Sequence, residues 1–185
     1  MRLLSLIVTS STSGMLGAFF ILLATTAACT PAGTGSGPAA LPVSDHPLRG
    51  EPAPDFNLAA RKGGPASLRA YAGRVVLIDF WATWCEPCRR SFPEYQALLG
   101  RHGDGLVVLG ISEDDEDAGI DRFIEETGAS FPVAWDGDKT LAQRYRINSM
   151  PTLFIIDKNG LVRYVHAGFR AGDEASVDAA IQSLM

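Results

Sequence analysis

Hydrophobic positions divide the chain into an apolar start, a small-residue stretch without periodicity, and a long region in which strand and helix periods alternate. Val75 to Ala82 (VVLIDFWA) and Leu106 to Ser112 (LVVLGIS) are near-continuous apolar runs rich in β-branched and aromatic residues. Such runs fit strands buried on both faces of a sheet. Phe56 to Leu58 and Ala66 to Leu68 flank the turn-rich RKGGP and suggest a hairpin. From Pro87 the pattern becomes helical towards Leu99, with Gly100 as the expected stop and Pro93 as an expected kink. Ile120, Phe123 and Ile124 fall on one face of a helix predicted over 118–127 and closed by Gly128. Phe131 to Trp135 reads as a short strand and Lys139 to Tyr145 as a short helix. Thr152–Ile156 and Leu161–Val165 read as a hairpin about a turn at Asp157–Gly160. Asp173 or Glu174 opens a last helix running to Leu184. Strands and helices in alternation, followed by a hairpin, predict an α/β sandwich with a mixed sheet. No internal repeat is visible.

The start of the chain has a different character. From Leu3 to Ala28 no residue is charged, and Met15 to Ala24 (MLGAFFILLA) is its most apolar part. A short apolar core followed by small residues reads as an export signal. It is shorter than the ~20 residues that span a bilayer comfortably, although an uncleaved anchor and a soluble secreted product are the alternatives. All three put the rest of the chain outside the cytoplasm. The stretch 29–49 is rich in Gly, Pro, Ala and Ser and reads as a flexible tether, with His46 incidental to it. The folded domain is expected over 50–185.

The chain has 185 residues, of which 46% are hydrophobic, enough for one domain with a substantial core beside the export segment. A formal charge of -5 and a pI near 5.1 leave no basic footprint, which argues against nucleic-acid binding. The acids cluster at Glu113, Asp114, Asp115, Glu116 and Asp117, expected as a solvated loop or helix start, with an electrostatic docking patch as the alternative.

Three cysteines, Cys29, Cys85 and Cys88, are too few for a disulfide scaffold. Cys85 and Cys88 sit where a buried strand gives way to a helix, a spacing that lets the two thiols reach one another. In thiol–disulfide exchange the first thiol is exposed to attack and the second resolves the mixed disulfide. Unpaired N–H groups at a helix start lower the first thiol's pKa. A structural zinc site would require a second such pair, and a lone loop of this size is a poor structural staple. Asp79, within the buried run, is a candidate proton acceptor for the resolving thiol, or else a satisfied polar residue at a sheet end. Phe80, Trp81 and Trp84 are core or substrate rim, with Trp84 the rim candidate. His102 and His166 show no partner by spacing.

The segment Ile78 to Cys88 (IDFWATWCEPC) resembles the thioredoxin active site, and more closely that of the TlpA/ResA-like extracytoplasmic thioredoxins. Gly50 to Phe56 (GEPAPDF) resembles that family's leading segment, Met150-Pro151-Thr152 its cis-proline loop, and roughly Glu113 to Tyr145 its central insertion. The resemblance, from Gly50 onwards, implies a thioredoxin fold: a mixed central sheet flanked by helices, with an N-terminal hairpin extension and the insertion. It implies protein-disulfide oxidoreductase activity with Cys85 and Cys88 catalytic and no cofactor or metal beyond their disulfide. It also implies a buried acid at Asp79, as in thioredoxin, where several TlpA/ResA-like proteins carry Asn. Met150 and Pro151, with Trp84, would bind substrate backbone by strand addition. Glu86 and Pro87, between the cysteines, would tune their potential, although an inert solvated Glu86 is equally compatible. Ser91 stands where many family members carry a glutamate. Cys29 closes a segment that resembles a bacterial lipoprotein signal, with Thr26 where the pattern prefers Leu. This implies lipidation at Cys29 and a periplasmic, membrane-anchored protein. The implied partners are thiols and disulfides of exported proteins, including those of cytochrome c maturation, and a membrane electron donor of thiol-reductase type.

Two other functions are compatible with a cysteine pair. A Cu(I) assembly module would use both thiolates and a distant His such as His166. Copper-chaperone relatives on this fold space their cysteines one residue wider. A peroxidase would need a Pro/Thr-rich pocket around one cysteine with a nearby Arg, and WCEPC does not match it, despite Arg89 and Arg90.

Overall fold

The computed structural model describes residues 40–42 and 44–185, so the export segment, Cys29 and the first part of the tether lie outside the described residues. The elements follow in the order β1 (Asn57–Leu58), β2 (Ala60–Lys62), β3 (Ala66–Ser67), β4 (Val75–Trp81), α1 (Glu86–His102), β5 (Leu106–Ser112), α2 (Ile120–Thr127), β6 (Val133–Trp135), α3 (Thr140–Tyr145), β7 (Thr152–Ile156), β8 (Val162–Ala167) and α4 (Asp173–Gln182). Six strands form one mixed sheet in the order β2-β6-β5-β4-β7-β8. β4, β5 and β6 run parallel, while β2, β7 and β8 pair antiparallel to their neighbours.

The continuous apolar runs become β4 and β5 because every residue of both is buried. Alternation then sorts β4 between two cores. Val75, Leu77 and Trp81 face a cluster with Phe92, Tyr95 and Leu98 of α1 and Val177 and Ile181 of α4. Val76, Ile78 and Phe80 face the opposite cluster, with Leu141 and Tyr145 of α3. The Tyr145 ring contacts Phe56, Phe80 and Phe154, and its hydroxyl donates to Pro54 O at 2.9 Å. That bond seats the N-terminal extension on the sheet. No helix among the described residues is long and apolar enough to cross a membrane.

Several expectations are corrected. β1 and β3 form the predicted hairpin, but Ala60–Lys62 between them, whose Arg61 and Lys62 belong to the expected turn, pairs with β6 as an edge strand. All three of its residues are exposed, so no apolar alternation marked it. α1 runs through Gly100 and ends at Gly103, whose positive φ of 51° terminates it. The end of the tether is packed rather than free: Leu41 is buried in the core, and the His46 ring meets Phe154 edge-on at 5.2 Å. His102 and His166 do have partners: their Nε2 atoms lie 2.5 Å from Asp178 and 3.0 Å from Asp173, both contributed by α4. Asp178 is 76 residues from His102, and Asp173, seven residues after His166, lies across the turn into α4, so no helical or strand spacing marks either pair.

Candidate active site

β4 delivers the chain to Trp81, and the loop that follows enters α1 at Cys85, which serves as its N-cap. Pro87 lies in the first helical turn, where a missing N–H costs no intrahelical bond. Cys85 and Cys88 form a disulfide with Cα atoms 5.3 Å apart. Cys88 N donates to Cys85 Sγ at 3.3 Å, so the first sulfur sits among the free N–H groups of the helix start. Cys85 retains 4% exposure and Cys88 none. Trp84, beside them, is 70% exposed, while Trp81 and Phe80 are core residues. Glu86 is exposed and pairs with Arg90 at 3.3 Å; Arg89 pairs with Glu126 at 2.8 Å.

Asp79 is fully buried on the α1 side of the sheet. The Tyr95 hydroxyl donates to its Oδ1 at 3.1 Å, and Oδ2 has no partner among the described residues. Burial holds the Asp79 carboxyl well above the usual range, and the bond from Tyr95 opposes that rise. The Met150–Pro151 peptide is cis. Pro151 is buried and its carbonyl accepts from Gly168 N at 2.7 Å. Met150 packs against the core cluster that contains both cysteines. The fold thus gathers Cys85, Cys88, Asp79 and Met150 about one region, although they come from β4, α1 and the loop before β7.

The acidic run divides, which corrects the expectation of a solvated loop. Glu113 and Asp114 are buried directly after β5, and the three acids that follow are exposed. Asp114 holds the loop before Cys85: it accepts from Thr83 N at 3.1 Å and from Thr83 Oγ1 at 2.7 Å, while Ser112 Oγ donates to it at 2.8 Å. Its carbonyl accepts from Trp135 Nε1 at 2.8 Å and from Lys139 Nζ. Glu113 lines a cleft with Lys139, Ile147, Asn148 and Met150. Burial, then the neighbouring Asp136, pushes its carboxyl up to about 8 against the pull of Lys139. The signal for these two residues was their position at the end of a continuous buried run.

The chain matches the AhpC/TSA family over residues 49–165. The chain belongs to the AhpC/TSA family. Within it, the chain is 34% identical over 120 residues to the thiol-disulfide oxidoreductase ResA of Geobacillus kaustophilus, covering 64% of this chain and 69% of that protein. It is also 34% identical over 122 residues to the thioredoxin-like protein YneN of Bacillus subtilis, covering 64% and 71%. The crystal structure of a DsbE-type thiol:disulfide interchange protein from Chlorobium tepidum superposes with a TM-score of 0.70 at 35% identity, over 74% of this chain and 96% of that one. The expected thioredoxin-like fold is borne out, and the family member is an enzyme of thiol–disulfide exchange with a cysteine pair.

Proposed function

We propose that this protein acts outside the cytoplasm as a reductant of disulfides in exported proteins, with apocytochromes c among its substrates. The observation that carries the reading is the Cys85–Cys88 pair at the start of α1 with a buried carboxyl, Asp79, on the same side of the sheet. In the dithiol form the Cys85 thiolate attacks a substrate disulfide. A Cys85–substrate bond forms and one substrate thiolate leaves. Asp79 Oδ2 then takes the Cys88 proton, and Cys88 attacks Cys85 Sγ. The internal disulfide re-forms and the second substrate sulfur leaves, so the substrate gains the two electrons that the pair loses. Met150 and Pro151 would align the substrate strand, exposed Trp84 would form its rim, and Glu86 and Pro87 would tune the pair. A membrane thiol-reductase would recharge the pair, and a lipid on Cys29 would hold the domain at the membrane. Disulfide chemistry is at home in such oxidising compartments.

Insulin disulfide reduction, followed by turbidity with dithiothreitol as recharging reductant, tests the activity. Catalysis that disappears in Cys85→Ser is expected. No catalysis, together with peroxide consumption or tight Cu(I) binding by the pair, would replace this reading with a peroxidase or a copper-assembly role.

A further inference from the structure

Asp79 receives one hydrogen bond among the described residues, and Tyr95 supplies it. Tyr95 lies two helical turns after Cys88, so α1 presents both on one stripe. Ser91 lies between them, fully buried, with Oγ donating to Cys88 O at 3.0 Å. The Tyr95 ring has no exposure and is held by Phe169, edge-on at 5.9 Å, and by Phe92 at 6.4 Å. A buried phenol fixed in this way has little freedom to turn elsewhere. An ionised carboxylate accepts only, so the phenol is the donor.

We propose that Tyr95 is a positioning residue for the exchange reaction: by donating to Asp79 Oδ1 it holds the carboxyl in one rotamer and leaves Oδ2 as the oxygen that takes the Cys88 proton. The inference rests on the reading of Asp79 as proton acceptor. Its chemical content is that a donor aimed at a buried carboxylate stabilises the ionised form, which is the form that works as a base. Burial raises the Asp79 carboxyl pKa, and the bond from the phenol lowers it. The charged groups near the phenol are Asp79 from β4 and Asp173 from the start of α4, the latter paired with His166 of β8 at 3.0 Å. Both carboxyls, after burial itself, keep the phenol protonated and hence a donor.

Tyr95→Phe removes one oxygen and keeps the ring. In single-turnover experiments the full chain is loaded with a mixed disulfide on Cys85, and resolution by Cys88 is followed against pH. Tyr95→Phe is expected to move the midpoint of the profile up by about one pH unit, slowing resolution about tenfold below the wild-type midpoint. In an Asp79→Asn background the same change should shift nothing. A slow Asp79→Asn with a Tyr95→Phe midpoint equal to wild type would leave Asp79 as the base and overturn the role of Tyr95. An Asp79→Asn profile indistinguishable from wild type would remove the base itself. If Tyr95→Phe does not fold, infrared spectra of wild type minus Asp79→Asn at acid pH isolate the Asp79 carboxylic C=O band. A hydrogen-bonded frequency supports the proposal and a free-acid frequency overturns it.

Discussion

At the residue scale, Asp79 determines both chemistry and cost. A buried carboxyl whose folded pKa lies above its unfolded value binds its proton more tightly when folded. Between the two values the native state carries more protons, so stability falls as pH rises. Each unit of that rise removes about 1.4 kcal/mol once the pH exceeds the folded value. Asp79→Asn keeps the shape and cannot ionise. It is therefore expected to melt above wild type at neutral pH, by about 2–4 °C for each kcal/mol recovered. The gap should narrow as pH falls from the raised folded value and vanish below the ordinary carboxylate range. Glu113 contributes a pH dependence of the same sign, which cancels in the comparison. Thermal melts of both proteins across pH check this, and a wild type more stable than Asp79→Asn at neutral pH would contradict it. Asp79 was legible in the sequence because a lone acid interrupted an apolar run. Tyr95 was not, because an aromatic residue on a helix face reads as core, and its bond depends on how α1 lies across β4. Asp114 was hidden for another reason: charge clustering suggested solvent, whereas its carboxyl is buried by hydrogen bonds to Thr83 and Ser112.

At the element scale, β4 and β5 were legible almost to the residue because burial on both faces makes the whole strand apolar. α1 was legible at its start, where Cys85, Glu86 and Pro87 mark the cap, and misread at its end. A Cβ at Gly100 would meet nothing within 4 Å, so that glycine sits in the helix without a structural role, whereas Gly103 adopts the positive φ. Gly110 in β5 has a purpose that the sequence did not disclose. It pairs with Asp79 across the sheet, and a Cβ there would lie 3.2 Å from Trp81 Nε1 and 3.4 Å from Phe131 and Val133 side-chain atoms. The absent side chain lets Trp81 stack on Phe123 with centroids 4.3 Å apart. Gly110→Ala is expected to overpack this layer at a cost of about 1–3 kcal/mol. Denaturant unfolding would show a lower midpoint with an unchanged slope. An unchanged midpoint would mean that the Trp81 layer yields freely.

At the scale of the molecule, the parallel centre β4-β5-β6 carries the first half of the site, and the antiparallel pair β7-β8 brings the Met150–Pro151 loop to it. The division of labour between the thiols is the central claim. Cys85 caps the helix at the edge of the site, and Cys88 lies wholly inside. The direct test reacts Cys88→Ser and Cys85→Ser separately with insulin and maps the adducts by mass spectrometry of peptides. Cys88→Ser is predicted to accumulate a mixed disulfide on Cys85, released by reductant, while Cys85→Ser forms little or none on Cys88. An adduct on Cys88 formed as fast as that on Cys85, or no adduct on Cys85 at all, would contradict the account.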